Sequence, residues 1–191
     1  MKLQILVGSV RESRESFKIG QWFSKVATQE GSFNEVELID LKDWDLPLKM
    51  EAETADSRHS TDEYRYEYTK KWSAKISEGD AYIFVTPEYN HGYSAPLKNA
   101  IDLLYYEWAH KPAAMVSLGG VGGARGMEAL IPVLVAVQII PIAYNVRLSY
   151  DEVKDDGVES EQGEQRAKGL LPPLAAYAKA LQPVREQLRP K

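Results

Sequence analysis

The chain alternates between short, wholly apolar runs and longer stretches in which apolar residues recur every three or four positions. The short runs, rich in β-branched and aromatic side chains, predict strands buried on both faces. They fall at residues 3–7, 81–85, 113–117 and 139–148, and a partly alternating segment at 36–41 adds a fifth. Pro141 marks an edge or a bulge in the last of them. Between the first two strands Ile19, Trp22, Phe23, Val26 and Ala27 share one helical face, and Gly31 supplies a stop. A second helix is predicted from Thr61, with Tyr64, Tyr68, Trp72 and Ile76 as an aromatic stripe suited to core or subunit contact. A third opens at Ser94 as N-cap, with Pro96 in its first turn and Leu97, Ala100, Ile101 and Leu104 inward. Residues 127–138 predict a fourth, interrupted by Pro132, and a last helix is expected after Pro172 and Pro173.

Five strands alternating with helices predict an α/β fold, a doubly wound five-stranded parallel sheet with right-handed crossovers, in a single domain over residues 1–191. Strand order 2-1-3-4-5 would set the carboxyl ends of strands one and three beside the topological switch point, where open sheets of this kind bind ligands. The loops after Gly8 and after Thr86 would then line one crevice. Residues 42–62 are polar and aperiodic, either a loop overhanging that crevice or a solvated excursion. Residues 149–168 are acidic and polar.

Composition narrows the chemistry. A net charge of −5 gives no general attraction to nucleic acid or acidic lipid. No apolar run approaches the roughly 20 residues that span a bilayer. The first residues are too short and strand-like for a signal peptide, so a cytoplasmic location is expected. With no cysteine, disulfides and thiolate chemistry are excluded. His59, His91 and His110 are too far apart for a His-x-x-x-His pair, and no metal site is expected.

Directly after the first strand come Gly8, Ser9, Arg11, Ser13, Arg14 and Ser16. Glycine permits close backbone approach, the helix start presents amides to an anion, and hydroxyls and guanidinium forks complete a phosphate cradle. The spacing is neither Gly-x-x-x-x-Gly-Lys-Ser/Thr nor Gly-x-Gly-x-x-Gly, which removes both common nucleotide signatures. Gly119, Gly120, Gly122, Gly123 and Gly126 follow the fourth strand, where their amides suit the electron-rich edge of a planar ring; they serve equally a tight strand–helix turn. Pro87, Glu88, Tyr89 and Asn90 can line a heterocycle through their backbone and the tyrosine ring. Neither Glu88 nor His91 has a nucleophile, metal or triad partner, so no catalytic side chain is assigned and hydrolase chemistry is disfavoured. A phosphate cradle beside a flat, amide-rich wall suits a cofactor that carries its own chemistry.

At these residues the sequence resembles the NAD(P)H-dependent FMN reductase family, flavodoxin-fold reductases of quinones, azo dyes and chromate. Residues 6–11, Leu-Val-Gly-Ser-Val-Arg, resemble the family's phosphate loop. Residues 86–102, Thr-Pro-Glu-Tyr-Asn-His-Gly-Tyr-Ser-Ala-Pro-Leu-Lys-Asn-Ala-Ile-Asp, resemble its Pro-Glu-Tyr-Asn signature and following helix, and Ser117-Leu-Gly-Gly its flavin loop. The resemblance implies that Ser9, Arg11 and Ser16 hold the phosphate of FMN. It places Glu88, Tyr89 and Asn90 at the isoalloxazine ring and Ser117, Gly119 and Gly120 along its far side. Arg14 stands where many members have serine, which leaves the division of labour among Arg11, Arg14 and Ser16 open. The implied activity is ping-pong transfer of two electrons from NADPH or NADH through FMN to a quinone-like acceptor, in a homodimer or homotetramer. Tyr93, Tyr105, Tyr106 and Trp108 suit the subunit contact or packing within the chain. A flavodoxin-like electron carrier or flavin-binding regulator is the alternative.

Overall fold

A computed structural model describes residues 1–58, 61–155 and 157–188, with Thr61 described in its backbone alone; His59 lies outside the described residues. The main sheet comprises β1 (Lys2–Val7), β2 (Glu35–Asp40), β3 (Ala81–Pro87), β4 (Pro112–Leu118), β5 (Ile140–Pro141) and β6 (Val146–Leu148). It is parallel throughout, in the order β2-β1-β3-β4-β5, with β6 also paired to β4. Leu3 lies between Val36 and Ala81, and Phe84 opposite Met115. This is the predicted order, and it puts the carboxyl ends of β1 and β3 side by side.

The fifth strand is split. Pro141 has no N–H to give, and after the Ile142 amide bonds to Ala113 the chain leaves β4. The Asn145 side chain then accepts the Met115 N–H at 2.7 Å, standing in for the missing strand carbonyl, before pairing resumes at Val146.

Two helical layers cover the sheet. On one face α1 (Glu15–Glu30) and α6 (Glu161–Leu188) bury Ile19, Phe23, Leu170 and Leu174. On the other, α3 (Glu67–Ser77), α4 (Ala95–Asp102) and α5 (Ala124–Ala136) bury Trp72, Leu97 and Leu130. Gly31 ends α1 as expected, left-handed at φ 83° with its amide on the Ala27 carbonyl. Two expectations are corrected, and one open alternative is decided. The helix expected from Thr61 is a short 3-10 turn there, and regular α-helix starts only at Glu67. The last helix begins at Glu161 and runs through Pro172 and Pro173, because its apolar face continues unbroken across them. Trp108 is fully buried, its ring 5.0 Å from Tyr82 and 6.3 Å from Trp72, so it packs within the chain and is not available to a partner.

After β2 a short α2 (Leu41–Trp44) opens the polar segment, with Trp44 packed edge-on against Trp72. The segment is pinned to α3 and α4: Asn99 donates to the Leu46 carbonyl, Tyr68 to that of Lys49, and Glu51 accepts the Arg65 and Tyr66 amides. An antiparallel hairpin, β7 (Val153–Lys154) and β8 (Gly157–Val158), occupies part of the acidic stretch before α6.

Candidate active site

Three loops meet at the carboxyl ends of β1, β3 and β4. The first begins at Gly8, whose amide bonds to Val85 on β3 at 2.8 Å and whose carbonyl accepts the Ser94 hydroxyl at 2.5 Å. Ser94 occupies the N-cap position of α4 as expected, but its side chain does not cap that helix. It ties the helix start to the first loop instead. Ser9 is buried, and its hydroxyl shares a 2.6 Å hydrogen bond with the Tyr89 hydroxyl, joining the first loop to the second. Arg11 is exposed, with its guanidinium 5.7 Å from the centre of the Tyr89 ring.

Arg14 is engaged differently. It forms an ion pair with Asp40 at the end of β2 and donates from Nη1 to the Arg11 carbonyl at 3.3 Å. Its guanidinium also lies 5.0 Å from the Phe17 ring. Asp40 is a residue the sequence reading missed. Its one signal was an acid at the carboxyl end of a strand adjoining the switch point. Beside this pair, the Nε of Arg14 and the hydroxyl of Ser16 are both buried and meet no acceptor among the described residues.

The second loop follows Pro87, which ends β3 opposite Leu118. Tyr89 and Gly92 exchange both backbone hydrogen bonds, at 2.8 and 2.9 Å, around Asn90 at φ 49° and His91 at φ 66°. A two-residue turn with both central residues left-handed is the I′ type that matches strand twist, and Asn and His enter that region more readily than bulky residues. Turn geometry therefore accounts for Asn90 and His91 without any catalytic role.

Glu88 reaches across to the third loop. Its carboxylate accepts the amides of Arg125 at 3.0 Å and Gly126 at 3.4 Å and the Arg125 guanidinium at 3.3 Å. It thus caps α5 from a distance, and Arg125 is a second residue the sequence reading missed. Desolvation pushes the Glu88 pKa up, but the two amides and the guanidinium outweigh it and hold the group below the usual carboxylate range. A carboxylate so engaged is a strut between loops. Ser117 is similarly occupied: fully buried, it donates to the Gly122 carbonyl at 2.6 Å and braces the loop from within.

The third loop carries two glycines of opposite character. Gly123, at φ 68°, could not carry a Cβ, which would fall 2.8 Å from that of Ser117. Gly120 has open space where a Cβ would lie and an ordinary φ, so neither packing nor backbone conformation demands glycine there. Gly119 spends its amide on the Leu148 carbonyl, whereas the amides of Gly120 and Val121 meet no acceptor among the described residues.

These features test whether FMN fits. A phosphate monoester at the start of α1 would satisfy the two orphaned donors, Arg14 Nε and Ser16 Oγ, which otherwise carry the cost of buried, unpaired polar groups. A flat ring against Gly120 would explain a glycine that the protein itself does not need. Among the described residues no cluster of His, Asp or Glu could hold a metal ion, and no helix is long and apolar enough to cross a membrane.

The sheet order and three loops converging on its switch point define a flavodoxin-like fold. The family model described as NADPH-dependent FMN reductase matches residues 1–151, and the chain belongs to that family. Over 122 residues it is 44% identical to an NAD(P)H-dependent FMN reductase of Schizosaccharomyces pombe, in an alignment covering 64% of this chain and 60% of that one. It is 32% identical to a quinone reductase of Pseudomonas putida, with 73% and 75% of the two chains covered. Among solved structures, a flavoenzyme NAD(P)H:(acceptor) oxidoreductase of Paracoccus denitrificans superposes with a TM-score of 0.71 at 24% identity, covering 94% of this chain and 97% of that one, which bears on the fold alone. The family's cofactors are FMN and NAD(P)H.

Proposed function

We propose that this chain is an FMN-dependent NAD(P)H oxidoreductase passing two electrons, in two successive half-reactions, to a quinone or similar small acceptor. The pair of buried donors without acceptors, Arg14 Nε and Ser16 Oγ at the start of α1, carries the reading. Family membership and the quinone reductase relative support the activity and the acceptor class. When bound, FMN would supply the redox chemistry, taking a hydride from NAD(P)H and returning its electrons to the acceptor.

The protein's part is binding and orientation. Arg11, Arg14 and Ser16 hold the phosphate, and Ser9 fixes Tyr89 at the rim. Pro87, Glu88, Tyr89 and Asn90 shape one wall of the ring site, while Ser117 and Gly119 hold the third loop so that the Gly120 and Val121 amides face the ring's electron-rich edge. No side chain is assigned acid–base work. The protein works in this reading as a single domain and as a homodimer or homotetramer. The half-exposed Val135 and partly exposed Ile131 on the outer side of α5 supply an apolar surface for assembly. A cytoplasmic setting completes the proposal, since the nicotinamide donor is an intracellular metabolite.

Steady-state oxidation of NADPH and of NADH, with FMN and a benzoquinone added, tests the activity. Quinone-dependent turnover with either nucleotide is expected. A protein that takes up FMN but never oxidises either nucleotide would contradict the enzyme and leave an electron carrier.

A further inference from the structure

Asp40 ends β2, and its side chain is 94% buried beside an Arg14 side chain that is 90% buried. The carboxylate is held from both sides: Oδ1 accepts the Lys42 amide at 3.1 Å, capping α2, and Oδ2 takes Nη2 of Arg14. Arg14 then spends Nη1 on the Arg11 carbonyl at 3.3 Å and retains Nε, buried and unpartnered, at the N-cap of α1. Ser16 offers a second buried donor without an acceptor two residues on. The guanidinium is therefore fixed on two of its three nitrogens, and the third is left for a ligand.

We infer that Asp40 is a positioning residue for the phosphate of the flavin: it orients Arg14 so that Nε meets the phosphate, and it braces the backbone of Arg11 through the same guanidinium. The inference rests on FMN as the ligand of this site. It also accounts for arginine at a position where serine would serve. A serine could donate to phosphate, but it could not join the end of β2 to the loop after β1. The pair leaves the cradle with the charge of Arg11 plus the partial charge of the helix start, which matches a single monoester better than a diphosphate.

Riboflavin, which is FMN without the phosphate, separates this role from a general loss of structure. Apoprotein is titrated with FMN and with riboflavin by flavin fluorescence for the native chain, Asp40→Asn, Arg14→Lys and the double variant. A charge-assisted contact of this kind predicts that Asp40→Asn weakens FMN by about 10- to 100-fold while riboflavin affinity stays unchanged. Because Asp40 acts through Arg14, the double variant should bind FMN no worse than Arg14→Lys alone. Should Asp40→Asn fail to fold, Asp40→Glu, which moves the charge by one methylene, carries the same comparison. An unchanged or tightened FMN affinity, an equal loss for both flavins, or additive losses in the double variant would overturn the role of Asp40. A native chain that takes up neither flavin would instead remove the FMN reading on which it rests.

Discussion

The Glu88 carboxylate spends its hydrogen bonds on Arg125 and Gly126. Its folded pKa lies below the unfolded value, so its stabilising contribution is present above the ordinary carboxylate range and is lost as pH falls through the folded value. Glu88→Gln keeps an acceptor but loses the charge. It should cost about 1 kcal/mol, as loss of a helix cap does, with the deficit shrinking in acid. FMN should remain bound and turnover should fall modestly, which thermal unfolding across pH and steady-state kinetics would check; complete loss of turnover with FMN retained would give Glu88 a catalytic part. His91→Gly preserves the left-handed turn and should leave turnover near native, whereas inactivity with FMN bound would make the imidazole chemical. That Ser9, Arg11 and Ser16 gather at the first turn was legible because strand, glycine and helix start sit consecutively in the chain. The fate of Arg14 was not: its partner is 26 residues away, on a strand whose neighbour is known only once the sheet order is known.

At the scale of elements, α6 shows where proline read as a helix boundary misleads. Pro172 and Pro173 read as a helix start, yet Ala167, Leu170, Leu171 and Leu174 keep helical spacing across them and are all buried. Burial of that face against the sheet outweighs the two lost hydrogen bonds. The far end of α6 is anchored by Arg185 on Asp80 at 2.9 Å, just before β3. Burial raises the Asp80 pKa, but Arg185 and the Lys2 amide draw it below the usual range. The contribution is accordingly present at neutral pH and lost as pH falls through the folded value. Asp80→Asn should lower the melting temperature at pH 7 and converge with the native chain in acid; a deficit constant across pH would mean that the ion pair contributes little. The split of the fifth strand was half legible. Pro141 announced a break, but the compensating bond from the Met115 amide to the Asn145 side-chain oxygen depends on a side chain that sequence alone could not aim.

For the molecule as a whole, the layer order and switch point followed from alternation of strands and helices, because chain chirality leaves few ways to connect them. Which aromatic residues face the core was less legible, since an aromatic residue in a sequence does not declare its side. Trp108 lies in the core, while the apolar residues left outside include Ile131 and Val135. If the proposed assembly uses that surface, Ile131→Lys with Val135→Lys should shift sedimentation toward the monomer with the fold intact; sedimentation unchanged from the native chain would contradict that use. In the proposed function, three loops at one end of the sheet hold a flavin that the nicotinamide donor reduces. Visible absorption of the purified, FMN-loaded chain, followed anaerobically as NADPH and then NADH is added, tests it most directly. Protein-bound flavin bands are expected to bleach with at least one nucleotide and to return when a quinone is added. A protein that retains no flavin, or whose bound flavin keeps its bands with both nucleotides, would contradict it.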